Sequence, residues 1–225
     1  MKKNTMMRLA AVMLMCVLLT ISVVGGTFAK YVTSDLEQDK ARVAKWGVDV
    51  DVEADTAFAT AYGKDSATTI AQTVVSSNSD KLLAPGTEGT LCTAYITGKP
   101  EVAVHITKTP TLVLTGWTTN GTDYYCPLVI TVDGTEYYGM DDAYLNAQDP
   151  AAAFIAAVEG ALTANYEVGP NTDLTVYNKV EWSWAFEGSD SKQTNEKDTA
   201  LGDKAATPSD ITIDFKYVIT VTQVD

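Results

Sequence analysis

The sequence predicts a mainly β fold, an antiparallel β-sandwich or barrel with one amphipathic helix inserted at about residues 149–165. Three observations predict it. Segments rich in Val, Ile, Thr, Tyr and Trp recur at short intervals along the chain. Turn residues separate them at Pro85-Gly86, Gly98-Lys99-Pro100, Asn120-Gly121, Asp133-Gly134 and Gly169-Pro170. One stretch alone carries a helical period, so strands must build most of the core.

Composition sets the bounds. The 225 residues are 46% hydrophobic and 20% charged, too apolar for a disordered chain and long enough for one domain with a core. Sixteen Lys and Arg stand against 29 Asp and Glu, a net charge of −13. Lys2, Lys3 and Arg8 are the only charges before residue 30, so the rest of the chain sets 13 basic against 29 acidic residues, a net of −16. A body this acidic lacks the basic patch that counterion release requires, and no nucleic-acid partner is expected.

Lys2, Lys3 and Arg8 precede an uncharged stretch from Leu9 to Val24, the helix-breaking Gly25-Gly26 and the small residues of Thr27-Phe28-Ala29. That order is a secretory signal peptide cleaved between Ala29 and Lys30. An exported protein follows, with membrane contact only through the uncleaved signal segment. Residues 30–42 are charged and poor in aliphatics, hence extended or mobile. Residues 43–225 are expected to form a single domain.

Within that domain, Val48-Asp49-Val50-Asp51-Val52-Glu53 alternates without a fault, a strand with one buried and one wet face. Further strands are expected at 68–76, 90–97, 102–109, 111–115, 128–132, 179–187 and 211–224. Pro110 breaks one long run, which makes it an edge strand or two strands with a bend. Asp133-Gly134, between Ile130-Thr131-Val132 and Thr135-Glu136-Tyr137-Tyr138, is a two-residue hairpin signal. Asp149-Pro150 caps the helix, whose Phe154, Ile155, Val158 and Leu162 repeat at helical spacing up to Asn165. Residues 188–208 are polar and read as a long exposed loop.

Chemistry-bearing motifs are scarce. The single histidine, His105, lies inside an alternating strand, where a polar or half-buried strand position outweighs a zinc ligand. There is no Gly-x-Ser-x-Gly elbow, phosphate loop or dinucleotide fingerprint, and the chain is not expected to be an enzyme. No cofactor is expected. Calcium is the metal that clustered oxygens would suit, at Asn195-Glu196-Lys197-Asp198-Thr199 and Gly202-Asp203, although Lys197 opposes a cation and a solvated loop is the better reading. Trp182, Trp184 and Phe186 share one strand face as core or, in the alternative, as a sugar-stacking platform. After export, Cys92 and Cys126 remain, and a disulfide between them would close a loop of about 33 residues worth about 3–4 kcal/mol.

Several of these stretches match one pattern. Gly25-Gly26-Thr27-Phe28-Ala29-Lys30-Tyr31 running into Ala41-Arg42-Val43-Ala44-Lys45-Trp46-Gly47-Val48 resembles exported Gram-positive proteins processed by the SipW-type signal peptidase, above all the TasA/camelysin family of biofilm-matrix fibre proteins. The likeness resumes at Leu83-Ala84-Pro85-Gly86-Thr87, with Tyr95, Ile96, Val102 and Val104 after it, and again from Trp182-Ser183-Trp184 to Leu201-Gly202. The resemblance implies a jelly-roll, processing by a SipW-type peptidase, and a structural role in which subunits self-associate, or join related matrix subunits, by β-strand addition. The donor it implies is the segment with Tyr31, Val32, Leu36 and Val43; a plain stub leading to the first strand is the alternative. A non-fibrous adhesion or carbohydrate-binding domain is the second functional expectation. A camelysin-like metallopeptidase is the third.

Overall fold

The computed structural model describes residues 41–53, 57–63, 72–119, 123–186, 191–205 and 211–224. The elements in chain order are β1 (Val48–Glu53), β2 (Ala61–Tyr62), β3 (Val74–Val75), β4 (Thr87–Gly98), β5 (Val104–Thr115), β6 (Thr118–Thr119), β7 (Asp123–Tyr124), β8 (Leu128–Val132), β9 (Thr135–Tyr138), α1 (Asp142–Leu145), α2 (Pro150–Leu162), β10 (Ala164–Val168), β11 (Leu174–Trp184), α3 (Asn195–Lys204) and β12 (Thr212–Gln223). The fold is mainly β and its strand pairs are antiparallel, as the sequence predicts.

Two sheets hold most of the strands. One runs β1-β4-β11-β8-β9, the other β10-β5-β12. Period two explains how they meet. On β11 the even residues Leu174, Val180, Trp182 and Trp184 are buried, and on β5 so are Val104, Ile106 and Leu112. Ile96 and Leu174 of the first sheet pack with Val104 and Ile106 of the second in one cluster. Val180, Trp182, Leu128 and Ile130 pack with Leu112 and Phe154 in another. Both faces interdigitate in the manner of a sandwich.

The helix α2 explains a proline. Asp149 caps it by accepting from the Ala152 N–H at 3.0 Å, Pro150 occupies the first turn, and Phe154, Val158 and Leu162 bury one stripe. It ends at Leu162, three residues before the expected end, because the chain turns extended at Thr163 and pairs Ala164–Val168 with β5. β10 therefore covers β5 only up to Lys108. Beyond that point the N–H groups on this side of β5 have no strand to bond among the described residues. Leu112 N–H instead donates to the Glu159 carboxylate of α2 at 2.8 Å. Pro110, two residues away on the same side, has no N–H to satisfy. The strand is continuous through Pro110, and it is an edge at that position, so the first of the two sequence alternatives holds locally.

The hairpin signal is also met. Asp133 and Gly134 take φ of +49° and +85°, the left-handed pair that a two-residue turn between β8 and β9 needs. Gly98, at φ +122° where β4 ends, faces Gly47 so closely that a Cβ would lie 2.0 Å from the Gly47 oxygen. A side chain there would push β1 away.

Three expectations need correction. β1 has no fully buried face: Val48 is half-buried against the Ile96 cluster, but Val50 and Val52 are each 38% exposed on the outermost strand of the larger sheet. Residues 195–204, read as loop, form α3. Thr194 caps it, accepting from the Lys197 N–H at 3.3 Å, Glu196 and Asp198 sit in the first turn, Lys204 in the last, and Leu201 is buried. Finally, Cys92 and Cys126 are separate buried thiols with no bridge. Cys92 lies opposite Val180, and Val180 lies opposite Val132 on the far side of β11. Cys126 precedes β8, whose first residue Leu128 already lies four residues, about 13 Å at about 3.3 Å per residue, along the strand from Val132 and a strand further away, outside disulfide range.

The buried thiols make the fold sensitive to alkali. Burial, helped by the Asp133 carboxylate, pushes Cys92 up to about 11, and burial pushes Cys126 up to about 12. Burial and the Asp198 hydrogen bond also raise Tyr125. Groups raised on folding stabilise the native state fully below their unfolded values, and that stability is lost as pH rises towards the folded ones. Urea midpoints measured under reductant are expected to hold to about pH 8 and to fall above about pH 9, by about 1.4 kcal/mol per pH unit for each differential proton. A flat profile to pH 11 would contradict the burial of both thiols.

Candidate functional site

Open strand edges are the first feature with interaction chemistry. Among the described residues, β12 pairs with β5 along all twelve of its residues and with nothing on its other side. Its outward side chains include Asp214, Lys216, Val218 and Thr220, with Val218 40% exposed. β1 is likewise an outer strand, but it carries Asp49, Asp51 and Glu53. Three carboxylates in six residues repel an incoming acidic chain, whereas β12 opposes its Asp214 with Lys216. The less guarded edge is β12.

The residues singled out in the sequence fall as follows. Trp182 and Trp184 are core, 1% and 6% exposed, and Phe186 at 67% exposure is off that core, so no aromatic row faces solvent there. The Trp182 indole N–H donates to the Ala57 carbonyl at 2.6 Å. Trp184 packs on Trp117 at 5.8 Å, and its own indole N–H is buried without a partner among the described residues. Both Trp rings of that pair border a cleft of about 450 Å³ with Leu83, Asp198 and Leu201. His105 is half-buried on β5 opposite Glu167 of β10, with Nδ1 3.7 Å from the carboxylate. Among the described residues no three His, Cys, Asp or Glu side chains are grouped to hold a metal.

The calcium candidate is rebuilt by α3. Asp198 is buried and accepts from the Tyr125 hydroxyl at 2.6 Å and from Gln193 Nε2 at 3.2 Å. Its oxygens are occupied by protein donors, and Lys197 points back to the Lys192 carbonyl at 2.9 Å. These oxygens do not converge on a cation. Ala29, Lys30 and the donor residues Tyr31, Val32 and Leu36 lie outside the described residues. Val43 is 92% exposed and outside any strand.

Sequence reasoning missed a polar group between the two hydrophobic clusters. Lys108 of β5, 7% exposed, points inward between the sheets and donates to Asn178 Oδ1 of β11 at 2.8 Å. Asn178 Nδ2 donates to Asp133 Oδ2 at 2.6 Å, and the Tyr217 hydroxyl of β12 donates to Asn178 Oδ1 at 3.3 Å. Asp133 is fixed from both ends: its N–H donates to the Lys179 carbonyl at 2.9 Å, and its Oδ1 accepts the Lys179 N–H at 2.7 Å. Burial pushes the Lys108 ammonium below its ordinary value, against the opposing pull of Asp133. The signal was available in the alternation itself, since Lys108 and Asn178 stand at even, inward positions of their strands. Comparison with family models, curated proteins and solved structures found no match to this chain.

Proposed function

We propose that this protein is a secreted structural subunit of the extracellular matrix or cell surface, with a jelly-roll-like sandwich that self-associates by β-strand addition. One observation carries the reading: the twelve-residue β12 edge, unpaired among the described residues and nearly balanced in charge. Such an edge offers a row of backbone donors and acceptors to an incoming strand, and affinity comes from main-chain bonds. The signal-type first 29 residues support export, and no catalytic role is assigned. Net charge opposes assembly, so fibres are expected to grow with salt or divalent cations as repulsion is screened.

Negative-stain microscopy of the exported protein tests this. Wild-type protein is expected to form fibres at raised ionic strength, while V218K with T220K, both exposed on β12, leaves folded monomers with an unchanged melting temperature. Monomers at every salt and protein concentration would overturn the proposal.

A second reading, a non-fibrous carbohydrate-binding or adhesion domain, draws on another feature. Tyr95 and Tyr177, 40% and 50% exposed, pair on the outer face of the larger sheet with ring centroids 5.1 Å apart. Two exposed rings side by side offer sugar a stacking surface, which the buried Trp182 and Trp184 do not. Glycan binding by monomers, lost in Y177A, would favour this reading.

A further inference from the structure

Lys108, Asn178, Asp133 and Tyr217 are arranged for more than hydrogen bonding. A buried ammonium has three donors to satisfy, and the one hydrogen bond of Lys108 among the described residues goes to Asn178 Oδ1. No carboxylate among the described residues lies within ion-pair distance of it, so as a charged group it is poorly compensated for its loss of water. As a neutral amine it is a nucleophile aimed at an amide. With Nζ 2.8 Å from Oδ1, it stands beside the carbon of that amide, so a small shift of one side chain brings Nζ onto Cγ. A carboxylate touches the group that would leave, and a phenol touches the oxygen on which charge would develop.

We propose that Lys108 and Asn178 become joined by an intramolecular isopeptide bond that ties the two sheets together and that the fold itself forms. Lys108 loses one proton to become the amine, and Nζ attacks Asn178 Cγ. The new Nζ–Cγ bond forms as the C=O electron pair moves to Oδ1, where the Tyr217 hydroxyl donates. Asp133 takes a second proton from Nζ and delivers it to Nδ2. The Cγ–Nδ2 bond then breaks, the carbonyl re-forms, and ammonia departs to be protonated in solvent. One amide is exchanged for another, no oxidant or cofactor is needed, and the protein loses one positive charge. Asp133 is exposed, so proton exchange and ammonia both have a path to water, while Lys108 is held inside.

Each participant is set by structure that serves the fold as well. Lys108 is the last β5 residue paired with β10, and it is fixed between Thr107 and Thr109 in a continuous strand. The left-handed φ of Asp133 in the β8–β9 turn brings its carboxylate to β11. Desolvation lowers the proton affinity of Lys108, which favours the amine, and Cys92 and Tyr217 stay protonated because burial raises both. The inference does not rest on fibre formation.

Mass spectrometry of the full chain, reduced and denatured, tests it. The expected mass is lower than that of the unlinked sequence by one ammonia, and trypsin leaves Lys108 uncut in a branched peptide that also contains Asn178. K108M and N178A are expected to restore the full mass. So is D133N, which keeps the side-chain shape but removes the base, and its circular dichroism should match the wild type. Full-mass wild-type protein that trypsin cleaves after Lys108 would overturn the proposal and leave a non-covalent polar network. The wild-type measurement decides this even where a variant fails to fold.

Discussion

Replacing Trp182 with Ala is expected to cost about 3–5 kcal/mol, the usual range for deleting a fully buried aromatic ring. The ring is 1% exposed on β11, where it packs against Phe58 at 5.4 Å and edge-on to Tyr62 at 6.3 Å. Its N–H also holds the Ala57 carbonyl, so the substitution both opens a cavity and releases residues 57–62. Tyr62 is tied in turn: its hydroxyl donates to the Leu82 carbonyl at 2.8 Å and accepts the Ala59 N–H at 3.0 Å. In a domain of this size the melting temperature should drop by on the order of 10 °C. W182F separates the two effects. It keeps the six-membered ring and removes the donor with a small part of the ring volume, so a smaller loss of about 1–3 kcal/mol is expected. Urea unfolding of both variants, with limited proteolysis between residues 54 and 72, checks the assignment. If W182A melts within 2–3 °C of wild type, Trp182 is not the anchor described.

Most of the longer strands were legible because their signal is local, whereas β10 and the first half of β11, residues 174–178, were not. Val48–Glu53, Leu128–Val132 and the Asp133-Gly134 turn need only period two and left-handed propensity to be found. What period two cannot report is position within a sheet. β1 alternates perfectly and still buries neither face fully, because burial depends on what packs against it and nothing in the alternation encodes that. The end of α2 was missed for a related reason. Ala164 and Asn165 fit a helix by propensity, but pairing with Lys108 and Thr107 of β5 decides their state. The opposite error placed a loop over α3, where a net polar composition concealed a capped helix whose buried side is carried by Leu201 and Asp198. The Trp182 and Trp184 core was readable from spacing, whereas Phe186 continues the period beyond the end of β11 and so escapes burial. The Lys108–Asn178 contact joins residues 70 apart on different sheets. Its two strands each announce an inward polar residue, but only the topology says that they meet.

Asp198 supplies the second large effect, since α3 is docked through a buried carboxylate. The Tyr125 hydroxyl, in a residue 1% exposed, donates to the Asp198 carboxylate at 2.6 Å. Gln193 shares the same carboxylate and also donates to the Ala185 carbonyl at 2.8 Å, linking the helix start to the end of β11. D198A strands a buried hydroxyl donor and removes a charge-assisted bond, for an expected loss of about 3 kcal/mol. Y125F instead leaves the carboxylate short of one donor, while Gln193 Nε2 still serves it, so a smaller loss of about 2 kcal/mol is expected. The double variant should lose clearly less than the two single losses combined, because neither partner then remains unsatisfied. Chemical denaturation of the four proteins gives this coupling directly. Simple additivity would mean that Tyr125 and Asp198 act independently and that Leu201 alone seats the helix. A coupling of 1 kcal/mol or more would instead make the polar contact the reason that a helix of such low hydrophobicity is held against the sandwich at all.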